Sequence, residues 1–328
     1  MRRPVLVAPD SFKGTFSAAQ VAAAAGRGLE AGGEPPPDLC PLADGGEGTL
    51  AVLLTALGGE TAGTQAHDPL GRLRPAGFGL LEDGGTAVVE MAEAGGLGLV
   101  GTPTPETAWA ADSRGTGELV AAAIDAGAQV VLVAAGGSAS TDGGAGAVAA
   151  IEESGGLRGA ALVVLCDVRT PFEHAPGVFG PQKGADPGTV ARLRERLDAL
   201  AATWPRDPRG RPMTGAAGGL AGGLWAALGA TLEPGAPWIL EALEVDARMR
   251  AAQAVIVGEG RIDQQTLAGK LAGELATRAR QAGVPCHAIV GTNALDPFGA
   301  RILDLQTITE ARTLEEITAA AEALVPVL

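Results

Sequence analysis

Val130-Val131-Leu132-Val133-Ala134-Ala135-Gly136-Gly137-Ser138-Ala139-Ser140-Thr141-Asp142-Gly143-Gly144-Ala145-Gly146 is the stretch on which the fold turns. Its first four residues form a short run rich in β-branched side chains, the pattern of a buried strand. The residues after it, Ala147-Val148-Ala149-Ala150-Ile151-Glu152-Glu153, read as a helix. Strand, Gly/Ser/Thr loop and helix in that order suit an anion, because backbone N–H groups and hydroxyls converge where the helix dipole is positive. The same glycines would also serve a plain tight turn, so the rest of the chain has to separate the two readings.

Outward from that loop, the chain alternates strands and helices. Val5-Leu6-Val7-Ala8 leads through Pro9-Asp10-Ser11-Phe12-Lys13-Gly14 to a helix opened by the capping box Ser17-Ala18-Ala19-Gln20 and ended near Gly32-Gly33. Asp44-Gly45-Gly46-Glu47-Gly48 precedes an apolar helix over residues 50–57, with two carboxylates suited to capping, to acid–base work or to Mg²⁺. Between residues 67 and 107 the texture changes. Asp68-Pro69-Leu70-Gly71 is a turn, and strands at 77–81 and 86–90 flank Glu82-Asp83-Gly84-Gly85 as a hairpin. Ser113-Arg114-Gly115 starts a helix, and Leu162–Cys166 is a strand ending at Asp167. Asp186 and Pro187 open a helix with the stripe Val190, Leu193, Leu197 and Leu200, whose Arg192, Arg194 and Arg196 are expected on its wet face. Strands at 254–257, 285–290 and 302–308 follow, and Thr313 to Glu316 caps the last helix. The expected architecture is α/β, a Rossmann-like doubly wound sheet domain (1–66, 108–160 and 250–328) with a second, inserted α/β domain (67–107 and 161–249).

Composition bounds the function. The 328 residues carry a net charge of −14, which argues against nucleic acid or an anionic membrane as the main partner. No stretch has the roughly 18 uncharged apolar residues of a membrane span. The N-terminus has no signal-peptide pattern, and Cys40, Cys166 and Cys286 lack disulfide or metal spacing; both point to the cytoplasm. Arginine has largely displaced lysine: of 24 basic residues, only Lys13, Lys183 and Lys270 are lysines, and each adjoins a glycine. Lysine is a compact, mobile charge able to follow a phosphoryl group. Polar clusters at Asp10/Ser11/Lys13, Asp44/Glu47, residues 136–142 and Glu259/Arg261/Asp263 fall at strand ends and helix starts, where open α/β sheets bind ligands. Lysines, carboxylates and amide-rich loops are the parts of phosphoryl transfer. A P-loop, protein-kinase signatures and a serine-hydrolase elbow are absent, and the dinucleotide pattern at 144–149 is weak because it begins late in its loop.

The ordered set Ala8-Pro9-Asp10-Ser11-Phe12-Lys13-Gly14, Ala43-Asp44-Gly45-Gly46-Glu47-Gly48-Thr49, Ser113-Arg114-Gly115-Thr116-Gly117, Gly136 to Gly144, Phe179-Gly180-Pro181-Gln182-Lys183-Gly184-Ala185, Gly215-Ala216-Ala217-Gly218-Gly219 and Gly258-Glu259-Gly260-Arg261-Ile262-Asp263 resembles the bacterial class I glycerate kinases. The resemblance runs over most of the chain and implies ATP-dependent, Mg²⁺-assisted phosphorylation of D-glycerate to 2- or 3-phosphoglycerate. With it, Lys13, Asp44, Asp263 and Lys183 are the expected catalytic residues, with Asp44 or Asp263 as base. Gly136, Gly137, Ser138, Ser140, Thr141, Asp142 and Lys270 are expected at the ATP phosphates, Ser11, Arg114 and Arg261 at the substrate, and Glu47 and Asp167 at Mg²⁺. Two departures from the family pattern bear on substrate preference: the short link 151–161, and Thr141-Asp142 in place of Asn-Asp. The competing readings are a kinase of another small hydroxy acid, a non-catalytic metabolite-binding relative and a nicotinamide-dependent oxidoreductase. A homo-oligomer is compatible with the sequence.

Overall fold

A computed structural model describes residues 2–267 and 270–328. The chain divides into two compact units, Met1–Asp44 with Ala236–Leu328, and Gly45–Gly235. Strands β1 (Val5–Pro9) and β2 (Asp38–Leu39) come first. The second unit contains β3 (Gly59–His67), β4 (Leu73–Leu81), β5 (Thr86–Glu90), β6 (Val130–Ala134), β7 (Ala161–Cys166) and β8 (Thr231–Pro234). After it come β9 (Ala254–Glu259), β10 (Cys286–Val290) and β11 (Leu305–Glu310).

The first unit is built on a parallel sheet in the order β11-β10-β9-β1-β2. β1, β9 and β10 are buried along their whole length, which is why they read as continuous apolar runs and not as alternating ones. Counted within the unit, the order is that of a doubly wound sheet whose connections reverse direction between its first and third strands. That switch point lies between β1 and β9. Helices Ala18–Ala31 and Leu314–Leu324 pack together on the sheet, closing a core of Val5, Val7, Val21, Leu29, Ile256, Ile289 and Ile317. The expected capping box at Ser17 and Gln20 is present in both directions. The strand expected from Ile302 begins only at Leu305, because Pro297–Leu303 is a helix with Asp296 as its N-cap.

The second unit has a mixed sheet in the order β3-β4-β5-β6-β7-β8. β3, β4 and β5 form an antiparallel meander, and β5 to β8 run parallel. Its core joins Phe78, Val89, Met91, Leu119, Val131, Val133, Val164, Leu220 and Leu224. The helix Pro187–Ala201 starts as expected, with Asp186 accepting from the Thr189 amide. Two of its arginines are not simply solvated: Arg192 and Arg196 lie over the Trp109 ring at 3.9 and 3.6 Å, and Arg196 donates to the Trp109 carbonyl.

An inserted α/β unit is therefore present, but its limits differ from those expected. Residues 108–160, expected in the Rossmann-like domain, lie in the second unit, where β6 pairs with β5 on one side and β7 on the other. Residues 45–66 also belong to the second unit and residues 236–249 to the first. Periodicity marks a buried strand but carries no information about which parallel strand it adjoins.

Candidate active site

In the first unit, side chains gather at the carboxyl ends of β1, β9 and β10, the edge where a doubly wound sheet opens its switch-point crevice. β1 delivers Asp10, Ser11 and Lys13; β9 ends at Glu259 and continues into Gly260 and Arg261. With Asp44, Lys270, Thr292 and Arg312 they line a cleft of about 440 Å³. The Asp10 amide donates to the Gly258 carbonyl at 2.8 Å, tying the two loops together at the switch point. Burial, reinforced by the Asp44 charge and opposed by Lys13, pushes the Asp10 carboxyl up to about 7. Lys13 Nζ donates to Asp44 Oδ2 at 3.0 Å. Glu259 is buried and accepts from the Thr266 hydroxyl at 2.6 Å; burial raises its pKa, while that bond and the Lys270 charge oppose the rise.

In the second unit the Gly/Ser loop follows β6, and the helix Ala145–Glu153 starts two residues earlier than expected, from Gly144 at φ 83°. Gly136, Gly137 and Ser138 line a cleft of about 290 Å³ with Leu97, Asp167, Gln182, Lys183 and Ala217. Gly136 packs so closely on the preceding glycine turn that a Cβ there would lie 2.6 Å from Gly46 Cα. Lys183 is only 3% exposed, and its ammonium donates to Ser138 Oγ at 2.7 Å and to the Ser140 carbonyl at 2.6 Å. Burial pulls its pKa down to about 7, against the attraction of Asp142. A buried ammonium costs several kcal/mol of lost hydration unless it is compensated. Among the described residues no ion pair reaches it, and its two hydrogen bonds go to uncharged oxygens.

Much of the loop is committed to its own architecture. Asp142 accepts from the amides of Ser113, Gly144 and Gly146 and from the Ser113 hydroxyl, and that hydroxyl accepts in turn from the Ala147 amide. The Ala139 amide is taken by the Gly95 carbonyl and the Gly143 amide by the Gly218 carbonyl. Gly218 stands at φ +66°, and a Cβ there would meet the Ser140 carbonyl at 2.0 Å, so no other residue fits this contact.

A sequence pattern described as the glycerate kinase family matches residues 5–155 and 152–326. The chain belongs to the glycerate kinase family. Among its relatives, a glycerate kinase of Bacillus subtilis is 38% identical over 333 residues, covering 89% of this chain and 86% of that protein. A glycerate 2-kinase of Escherichia coli is 35% identical over 327 residues, covering 88% and 85%. The crystal structure described as glycerate kinase 2 from Salmonella typhimurium LT2 superposes with a TM-score of 0.82 at 32% identity, covering 100% of this chain and 98% of that one.

Within this family member the anticipated site residues divide three ways. Ser11, Lys13, Asp44, Arg261 and Lys270 share the cleft of the first unit. Gly136, Gly137, Ser138, Asp167 and Lys183 share that of the second. Asp142, Ser140, Thr141, Glu47, Asp263 and Arg114 are absent from the lining of either cleft. Asp142, Ser140 and Thr141 are buried, Glu47 is exposed, and Asp263 lies 3.5 Å from Arg261. Arg114, expected at the substrate, is instead held by Glu118 at 3.0 Å and Glu153 at 2.7 Å. Asp10, Glu259, Gln182, Ala217 and Arg312 line the clefts as well, beyond the residues expected from the sequence. Asp10 and Glu259 stand beside chosen residues at strand ends, which was a usable signal; Arg312 follows β11 with no local motif to mark it.

Proposed function

We propose that this protein is a glycerate kinase that transfers the γ-phosphoryl group of ATP to a hydroxyl of D-glycerate in the cytoplasm. The observation that carries the reading is the cleft of the first unit, where Lys13, Arg261, Lys270 and Arg312 surround the carboxyls of Asp10, Asp44 and Glu259. Phosphoryl transfer to a small hydroxy acid needs that combination: cations for the substrate carboxylate and the moving phosphoryl group, and carboxylates to orient the hydroxyl. Arg261 and Arg312 suit the carboxylate, since the guanidinium fork matches its two oxygens, and Lys13 and Lys270 suit phosphoryl oxygens.

The Gly136–Ser138 loop and Lys183 supply the fixed donors that nucleotide phosphates require. Asp167 beside them is a carboxylate of the kind Mg²⁺ takes when it arrives with a nucleotide. Among the described residues no three His, Cys, Asp or Glu side chains are grouped to hold a metal, so phosphate oxygens and water would complete its shell. When bound, Mg²⁺ would neutralise charge on the phosphates. Lys183 holds Ser138 and Ser140 in place, and Lys13 is oriented by Asp44.

The test is ADP release by the purified protein with ATP, Mg²⁺ and D-glycerate, compared with L-glycerate, glycolate, lactate and tartronate. A kcat/KM for D-glycerate at least tenfold above the others supports the reading. A higher value for another acid would make the protein a kinase of that acid, and no ADP release with any would make it a non-catalytic binder. Coupling to enolase without phosphoglycerate mutase tells the products apart, since only 2-phosphoglycerate dehydrates directly.

A further inference from the structure

We infer that Asp10, and not Asp44 or Asp263, accepts the proton of the substrate hydroxyl as the phosphoryl group arrives; this rests on the glycerate kinase reading above. The choice follows from how each carboxylate is occupied. Asp44 Oδ2 is engaged by Lys13 Nζ at 3.0 Å. Asp263 lies by Arg261 and is absent from the cleft lining. Glu259 also lines the cleft with one oxygen anchored, by the Thr266 hydroxyl at 2.6 Å, but the Lys270 and Lys13 charges favour its anion, whereas burial and the Asp44 charge bring Asp10 up to about 7. Asp10 lines the cleft at the end of β1, only 7% exposed. Its Oδ1 is fixed by the Ser11 amide at 2.6 Å, and among the described residues no group donates to its Oδ2. One oxygen anchored and one left for a ligand is the arrangement a proton acceptor needs, because it sets direction without consuming the lone pair.

The surroundings suit the same role. Burial and the charges of Asp44 and Glu259 make proton uptake by Asp10 favourable, while Lys13 and the Ser11 amide keep its anion within reach. The resulting value of about 7 leaves a large share of the group ionised at neutral pH and makes it a far stronger base than an ordinary carboxylate. Arg261, Lys270 and Arg312 complete the charged groups facing the same cleft. In the step itself the hydroxyl oxygen bonds to the γ-phosphorus and its proton passes to Asp10 Oδ2. The bond from that phosphorus to the bridging oxygen breaks, ADP leaves with the electron pair, and Asp10 returns the proton to water after product release.

The experiment is a pH profile of kcat/KM for D-glycerate, which reports the free enzyme, between pH 5.5 and 9 for wild type, Asp10→Asn and Asp44→Asn, with kcat at pH 8 and ATP affinity by titration calorimetry. Wild type is expected to lose activity tenfold per pH unit below about 7, where Asp10 takes up its proton. Asp10→Asn is expected to lose on the order of 10²-fold or more in kcat and to lose the acidic limb, with ATP affinity changed less than about threefold. Asp44→Asn should keep the limb but move it to lower pH, because the Asp44 charge helps to raise the Asp10 pKa. Retention of the limb and of kcat within tenfold in Asp10→Asn overturns the assignment, as does loss of the limb in Asp44→Asn. If Asp10→Asn fails to fold, a wild-type profile flat between pH 5.5 and 8 overturns it alone. A wild type that phosphorylates no hydroxy acid overturns the functional reading and this inference together, whereas the other contrary results leave the functional reading intact.

Discussion

Replacing Lys183 with methionine separates what this buried charge does for stability from what it does for a ligand. The substitution keeps the length of the side chain and removes the ammonium that holds Ser138 Oγ and the Ser140 carbonyl. In the unfolded chain the lysine titrates near 10.5, while burial brings it down to about 7 in the folded protein. Above pH 10.5 both states are neutral and the residue is no burden. As pH falls from 10.5 toward 7 the unfolded chain takes up the proton and the folded one does not, so stability declines. Below about 7 both states carry the charge and the decline stops. A shift of that size corresponds to on the order of 5 kcal/mol between the two ends of the window. Against it stand two hydrogen bonds, each contributing about 1 kcal/mol, and a further 1–3 kcal/mol for leaving the Ser140 carbonyl unpaired. Lys183→Met should therefore be no less stable than wild type near pH 7 and fall behind it as pH rises toward 10. The same variant should bind ATP at least 10²-fold more weakly, having lost the ammonium that lines the Gly136–Ser138 cleft. Urea unfolding of both proteins between pH 6.5 and 10, with titration calorimetry at pH 7, measures the two effects. Parallel stability curves, or a variant that binds ATP normally, would refute the reasoning.

Asp142→Ala strips the acceptor from three amides and a hydroxyl that are otherwise spent on it, and should cost about 3–5 kcal/mol in urea unfolding. Gly218→Ala forces a Cβ into the Ser140 carbonyl at a left-handed φ; a loss of at least about 2 kcal/mol is expected, together with weaker ATP binding measured by calorimetry. Arg114→Ala should leave kcat/KM for D-glycerate within about twofold and the unfolding midpoint essentially unchanged, since the guanidinium is committed to Glu118 and Glu153 and such exposed pairs contribute little. A tenfold loss of kcat/KM there would restore it to the substrate site.

Local signals were the legible part of this fold. Ser17 and Gln20, Asp186 and Pro187, and the hairpin around Glu82–Gly85 each act within a few residues, where capping and turn chemistry determine the outcome. Sheet membership was not legible. β6 and β9 carry nearly the same apolar run, yet one pairs with β5 and β7 and the other with β1 and β10. β3 carries no strand signal: Gly59–His67 holds no large aliphatic residue and lies mostly exposed on the sheet edge. At the site, residue type and position at strand ends pointed to Lys13, Asp44 and the Gly136–Ser138 loop. They gave no means of telling the carboxylate that supports the loop, Asp142, from one that lines a cleft, Asp10. That distinction depends on burial and on which groups reach each oxygen.

The most direct test of the account is to incubate the protein with ATP, Mg²⁺ and D-glycerate and follow the phosphorus-31 spectrum. A phosphomonoester resonance of phosphoglycerate that grows in step with ADP and requires the acid is expected. ADP accompanied only by inorganic phosphate, or an unchanged ATP spectrum at millimolar D-glycerate, would contradict it.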